Sequence, residues 1–210
     1  MTIKLLIKKI HLAGKEFVTA KDVEKHCKAL KMDCKNTVRY LLKEKYLLRI
    51  FKGMFYVRTF DEMKLGRSKY NPLELVSKGL ELKGVNNWYF GLYSALKLNN
   101  LTHEHFAVEY VLNDKIFRAK PIVVAGCKFR FLKLKPGLFG FGVTENGLRY
   151  SDAEKTVLDF IHVWRYNGVP EEKILMDISE YAASVSKKKL LAYAGNYSKA
   201  VKKTAEKVII

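Results

Sequence analysis

The sequence predicts an α+β protein: an N-terminal winged helix-turn-helix followed by a mixed α/β C-terminal domain with a small sheet and terminal helices. Two observations predict this architecture. Residues 19–58 run through a helix, a tight turn, a second helix and a glycine-turned hairpin, and after residue 88 short extended runs alternate with helical periodicity. A third, the charge, is uneven: of the formal +18, residues 1–70 hold +11, with 18 basic and 7 acidic side chains. Residues 71–168 carry 13 basic against 9 acidic side chains, and residues 169–210 carry 8 against 5. The expected division is a DNA-binding domain over 1–60, a polar linker over 61–70 containing Gly66 and Ser68, and a second domain over 71–210.

The first helix is expected over Ile3 to Ile10, with Ile3, Leu6, Ile7 and Ile10 facing a three-helix core. Thr19 is placed to cap the next helix, Ala20 to Lys31, because its hydroxyl can accept from the Asp22 amide while Asp22 complements the helix dipole. Val23, Cys27 and Leu30 make one apolar stripe on it. A break at Met32 to Cys34 follows, and Asp33 caps a helix from Lys35 to Lys45 whose core stripe is Val38, Leu41 and Leu42.

That assignment leaves Lys35, Asn36, Thr37, Arg39, Tyr40 and Lys43 facing outward. Arg and Asn can make paired contacts to base edges, and Lys, Thr and Tyr can hold phosphates, as a helix in the major groove requires. A solvated amphipathic face has the same composition. The hairpin that follows, Leu47 to Phe51 and Met54 to Arg58 turning at Lys52-Gly53, favours the DNA reading. Arg49, Lys52 and Arg58 are then positioned for backbone or minor-groove contacts.

In the second half, Asn71 caps a helix that opens on Pro72 and places Leu73, Val76 and Leu80 on one side. Trp88-Tyr89-Phe90 leads into a short helix ending near Leu98. Extended runs are expected over Phe106 to Leu112, Pro121 to Val124 and Cys127 to Leu134, the last with Phe129 and Phe131 opposite Lys128 and Arg130. Phe139 to Val143 and Leu148 to Tyr150 form a hairpin around Asn146-Gly147. Ser151 and Glu154 have capping-box spacing, and Val157, Leu158, Ile161 and Trp164 give the next helix its buried side, while Lys155 and Asp159 lie one turn apart and can pair. Two or three short helices follow Pro170, with Lys187-Lys188-Lys189 and Lys202-Lys203 on the solvent side.

Of the 39 basic residues 31 are Lys and 8 are Arg. Lys is a hydrated point charge and Arg is the planar fork that reads guanine, so strong phosphate affinity and few base contacts are expected. No apolar run approaches membrane-spanning length, so an intracellular, cytoplasmic protein with no membrane partner is expected. Cys27, Cys34 and Cys127 lack metal-site spacing and are expected as free thiols, and His103-Glu104-His105 lacks a third ligand. No metal, cofactor or catalytic residue is expected, since no phosphate-cradling loop, nucleophile elbow or paired His and Cys is present. An alternative is a metal-dependent nuclease using Glu109, Asp114, Asp152, Glu154 and Lys155, although the last three already serve a helix start. A module whose main partner is another protein is a further alternative.

Two runs in the right order give the chain a family resemblance. Tyr46-Leu47-Leu48-Arg49-Ile50-Phe51-Lys52-Gly53-Met54-Phe55-Tyr56 forms one, and Tyr89 through Ser94-Ala95-Leu96 to Asp152-Ala153-Glu154-Lys155-Thr156-Val157-Leu158-Asp159 forms the other. Over residues 2 to about 168 the chain resembles the AbiEi-like abortive-infection antitoxins of type IV toxin-antitoxin systems. Where that family has Pro before the Glu-Lys pair and Ala after it, this chain has Ala153 and Thr156. The resemblance implies a non-enzymatic repressor of its own promoter that neutralises a nucleotidyltransferase-type toxin without needing a stable complex with it. Repressors that read inverted repeats are often dimers, so a homodimer is also expected.

Overall fold

A computed structural model describes residues 2–208; Met1, Ile209 and Ile210, at the ends of the two expected domain ranges, lie outside the described residues. The chain is an α+β protein that divides into two compact units, 1–83 with 123–126 and 84–122 with 127–210.

The first unit opens with α1 (Thr2–Leu12), whose Leu6, Ile7 and Ile10 are buried, as the helical period requires. A three-residue strand absent from the sequence expectation, β1 (Phe17–Thr19), precedes α2 (Ala20–Ala29). Thr19 caps α2 reciprocally: its hydroxyl accepts from the Asp22 amide at 3.2 Å, and the Asp22 carboxylate accepts from the Thr19 amide at 2.8 Å. Asp33 starts α3 (Cys34–Lys43) by accepting from the Lys35 amide at 2.8 Å. Strands β2 (Leu47–Phe51) and β3 (Met54–Val57) turn at Gly53, where φ is +75° and a side chain would be strained. The sheet order is β1-β3-β2, antiparallel throughout, with Val18 opposite Phe55 and Leu48 opposite Tyr56. Leu6, Val23, Cys27, Leu41, Leu47 and Phe55 meet in its core.

The expected linker at 61–70 is instead structured. Thr59 caps α4 (Phe60–Leu65) in a capping box with Glu62, and the Glu62 carboxylate also accepts from the Tyr56 hydroxyl at 2.7 Å. Tyr70 closes the segment by donating to Glu16 at 2.6 Å. The next helix, α5 (Pro72–Leu82), belongs to the first unit rather than opening the second. Its Gly79 explains the packing: a Cβ there would stand 2.6 Å from the Ile50 side chain and 2.7 Å from that of Phe51, so only glycine admits this approach to β2.

The second unit contains β4 (Trp88–Phe90), α6 (Tyr93–Leu98), β5 (Val108–Asn113), β7 (Cys127–Lys133), β8 (Val143–Asn146) and β9 (Leu148–Ser151), while β6 (Ile122–Val124) straddles the division. Its strands run β7-β5-β4-β9-β8. The β5–β7 and β4–β9 pairs are parallel, whereas β4–β5 and β8–β9 are antiparallel. Gly147, with φ +68°, makes the last of these a tight hairpin. The first strand of that hairpin, expected over Phe139 to Val143, runs instead over Val143–Asn146, and Pro136–Leu138 form a single 3₁₀ turn. Four helices follow: α7 (Ala153–Tyr166), α8 (Glu171–Ala182), α9 (Lys187–Ala194) and α10 (Lys199–Val208). All three terminal helices pack on α7. Their apolar faces, including Ile174, Ile178, Leu190, Ala194 and Val201, join Leu158 and Ile161 in one core. Among the described residues no helix is long and apolar enough to cross a membrane.

Candidate functional site

Two places concentrate chemistry-bearing side chains, the outward face of α3 with its hairpin and the N-terminal half of α7. On α3, Lys35, Asn36, Arg39, Tyr40 and Lys43 are exposed, and Arg49 and Lys52 are exposed on the hairpin. Among the described residues the ion pairs of this unit lie elsewhere: Lys15–Asp22, Lys28–Glu24, Lys69–Glu16 and Lys78–Glu81. The Arg49 guanidinium rests 6.0 Å from the Phe55 ring centroid. Asp33 begins a small polar chain along this face: the Asn36 side-chain Nδ2 donates to its carboxylate at 2.7 Å, and Arg39 donates weakly to the Asn36 side-chain Oδ1 at 3.5 Å. Asn36 is thereby held to its own helix turn, leaving Arg39 as the fork best placed to contact a planar acceptor.

Two expected members of the face are used by the fold. Thr37 is 5% exposed and its hydroxyl donates to the Asp33 carbonyl at 2.6 Å, so it points inward as a first-turn brace. It stands three residues beyond Cys34 and one turn before the buried Leu41, which puts it on the inward face of α3. Arg58 is 9% exposed and its guanidinium donates to the carbonyls of Glu62 at 2.8 Å and Arg67 at 3.1 Å. It fastens α4 and the turn after it, a task that helical or strand periodicity could not reveal.

From the sequence the α7 cluster is expected only as a helix cap and an i,i+4 ion pair. Asp152 is the N-cap, with its carboxylate accepting from the Lys155 amide at 2.8 Å; Ser151, expected in that role, is buried against the Thr156 hydroxyl at 2.8 Å. Lys155 and Asp159 are both fully buried. The Lys155 Nζ stands 3.4 Å from Asp159 Oδ1 and 3.0 Å from the Tyr197 hydroxyl. Tyr197 donates to Asp159 Oδ1 at 2.7 Å and Tyr89 donates to Oδ2 at 2.8 Å. The ammonium lies 4.6 Å from the Phe141 centroid and 4.8 Å from that of Tyr89.

Burial pulls the Lys155 ammonium below its ordinary range, and the Asp159 carboxylate opposes that fall. Burial, reinforced by Asp159, pushes the Tyr89 and Tyr197 phenols well above theirs, so both remain donors. The remaining acids hold the C-terminal helices. Glu154 accepts from the Ser186 amide at 3.0 Å, and the Lys189 ammonium bridges Asp152 at 3.0 Å and Glu154 at 2.9 Å. The run 152–159 is therefore a joint that fixes residues 186–197 onto α7.

The residues considered for metal-dependent chemistry are not brought together. Among the described residues no group of three His, Cys, Asp or Glu is placed to hold a metal ion. Glu109 is engaged by the Ser94 hydroxyl at 2.5 Å and by Lys97, and Asp114 accepts from the Asn87 amide at 2.8 Å. His103, Glu104 and His105 are exposed. One feature near this region escaped sequence reasoning: Leu92, between β4 and α6, has φ +52° and ψ −132°. That conformation costs about 1–3 kcal/mol for a residue with a Cβ, and the elbow delivers a leucine that is 2% exposed into the core, where it offers no nucleophile.

No family model and no curated protein matches the chain. Among solved structures, the crystal structure of the RV2827C protein from Mycobacterium tuberculosis superposes with a TM-score of 0.59 at 11% identity, covering 97% of this chain and 74% of that one. At that identity the likeness establishes a shared α+β fold across the two units and nothing about activity.

Proposed function

We propose that this chain is a DNA-binding transcriptional repressor that acts as the antitoxin of a toxin-antitoxin system, in the manner of the AbiEi-like proteins it resembles. In this reading residues 17–58 are a winged helix-turn-helix, α3 enters the major groove, and β2–β3 is the wing. The supporting observation is the cationic face made by Lys35, Arg39, Lys43, Arg49 and Lys52, which is exposed and, among the described residues, apart from the ion pairs of its unit. Duplex DNA, an array of fixed anionic charge, is the partner such a face suits. The chain is not an enzyme, needs no cofactor, works in the cytoplasm as a homodimer, and silences its own promoter while restraining a nucleotidyltransferase-type toxin. The acids of 152–159 support the non-enzymatic reading because each already has a cation or backbone partner in the joint.

The test is a mobility shift with duplex from the chain's own upstream region. Five cations on phosphate give a salt slope of about −4.5, so a fourfold rise in salt should weaken binding roughly 500-fold. Arg39→Ala with Lys43→Ala should abolish the shift while leaving the circular dichroism unchanged. Undiminished binding by that variant would overturn the assignment of α3, and co-expression with the neighbouring toxin gene tests the antitoxin role separately.

A further inference from the structure

The turn between α2 and α3 is bracketed by two free cysteines, one on each helix. Cys27 is fully buried on α2, and Cys34, half-buried, is the first residue of α3. The Cys34 side chain packs against the core cluster that contains Cys27, and it is near enough to perturb the Cys27 thiol. The backbone between them is already folded back, since the Met32 amide donates to the Cys27 carbonyl at 2.9 Å and Lys31 takes a positive φ of 51°. The two cysteines thus face one core across a single tight turn. Cys127 has no such neighbour in sequence and lies in β7.

We propose that Cys27 and Cys34 form a redox modification site, closing to a disulfide on exposure to a peroxide and reopening with a dithiol. Cys34, the more accessible sulfur, attacks a peroxide oxygen; the O–O bond breaks, Cys34 becomes a sulfenic acid and water departs with the thiol proton. The Cys27 sulfur then attacks the Cys34 sulfur, the S–O bond breaks, and a second water leaves with the Cys27 proton. Two thiols are oxidised and one peroxide is reduced to two waters. The order of the steps follows from exposure: half-buried Cys34 meets the peroxide, whereas Cys27 is fully buried and burial pushes its thiol up to about 11, so it does not attack first.

A disulfide holds its sulfurs about 2.05 Å apart, closer than any non-bonded contact. Closure therefore draws the first turn of α3 toward α2, and that turn carries Lys35 and Asn36. The effect on DNA rests on the repressor reading; the disulfide itself does not.

The experiment treats the full chain with stoichiometric hydrogen peroxide, then counts thiols after denaturation and maps peptides by mass spectrometry. The expected result is a fall from three thiols per chain to one, an intact mass lower by two hydrogens, a linked Cys27–Cys34 peptide, and recovery with dithiothreitol. Cys34→Ser should prevent the change and Cys127→Ser should not. Oxygen adducts on Cys34 without a linked peptide, or linkage through Cys127, would overturn the proposal. In parallel, oxidised protein should bind its promoter duplex about tenfold more weakly than reduced protein, the equivalent of 1.4 kcal/mol. Equal affinity with the disulfide present refutes repositioning of α3, whereas absence of binding by the reduced protein refutes the repressor reading and leaves the thiol count to decide the site.

Discussion

Asp159→Ala should unfold the second unit far more readily than its single lost carboxylate suggests. In the wild type this carboxylate faces a fully buried ammonium at 3.4 Å and accepts two tyrosine hydroxyls at 2.7 and 2.8 Å. Removing it strands a buried cation, which costs about 3–5 kcal/mol when one partner of such a pair is deleted. For a unit of this size that corresponds to a melting temperature lower by roughly 10–15 °C. The loss should also depend on pH, because Lys155 can shed its charge. Its folded pKa already lies below the unfolded value, so between the two the unfolded chain binds more protons and stability rises with pH. Without Asp159 the folded pKa falls further and that window widens downward. The deficit should thus be largest near pH 6 and shrink as pH approaches 10. Lys155→Met should be milder, since Asp159 keeps both tyrosine donors. Thermal melts of the three proteins at pH 6, 7.5 and 9.5 provide the measurement. A deficit under 1 kcal/mol for Asp159→Ala, or one that does not change with pH, would refute the account of the joint.

Three further outcomes follow from the same geometry. Gly142→Ala should destabilise the second unit by about 2–4 kcal/mol in denaturant melts, because φ there is +63° and a Cβ would stand 2.8 Å from that of Lys155 and 2.9 Å from the Tyr193 ring. Arg58→Ala should lower the stability of the first unit by about 1–3 kcal/mol, the range for losing charged hydrogen bonds in a buried setting, while changing the salt slope of DNA binding by less than one unit. Hydrogen bonds from Thr19 hold the Asp22 carboxyl at about 2, so the α2 cap should strengthen the fold above pH 3.8 and lose that contribution as pH falls toward 2. Asp22→Ala should remove this part of the acid transition along with about 1 kcal/mol of stability at neutral pH.

The amino-acid sequence determined the local events. Thr19 and Asp33 cap their helices, Gly53 and Gly147 turn their hairpins, and Asn71 with Pro72 starts α5, because each needs only neighbours within a few residues. It also located the cationic face of α3, since helical period and charge are both written in the chain. Tertiary structure alone decided the rest. The pairing of β1 with β3, the packing of α5 beside Gly79, and the brace made by Arg58 join residues whose separation leaves no periodic trace. Thr37 shows how narrow the margin is: one turn before the buried Leu41, it is a brace on the Asp33 carbonyl and not the predicted phosphate contact. Lys155 shows the larger limit, because an i,i+4 lysine–aspartate pair reads as solvent-exposed until Tyr89 and Tyr197, distant along the chain, close over it and make its charge a matter of burial.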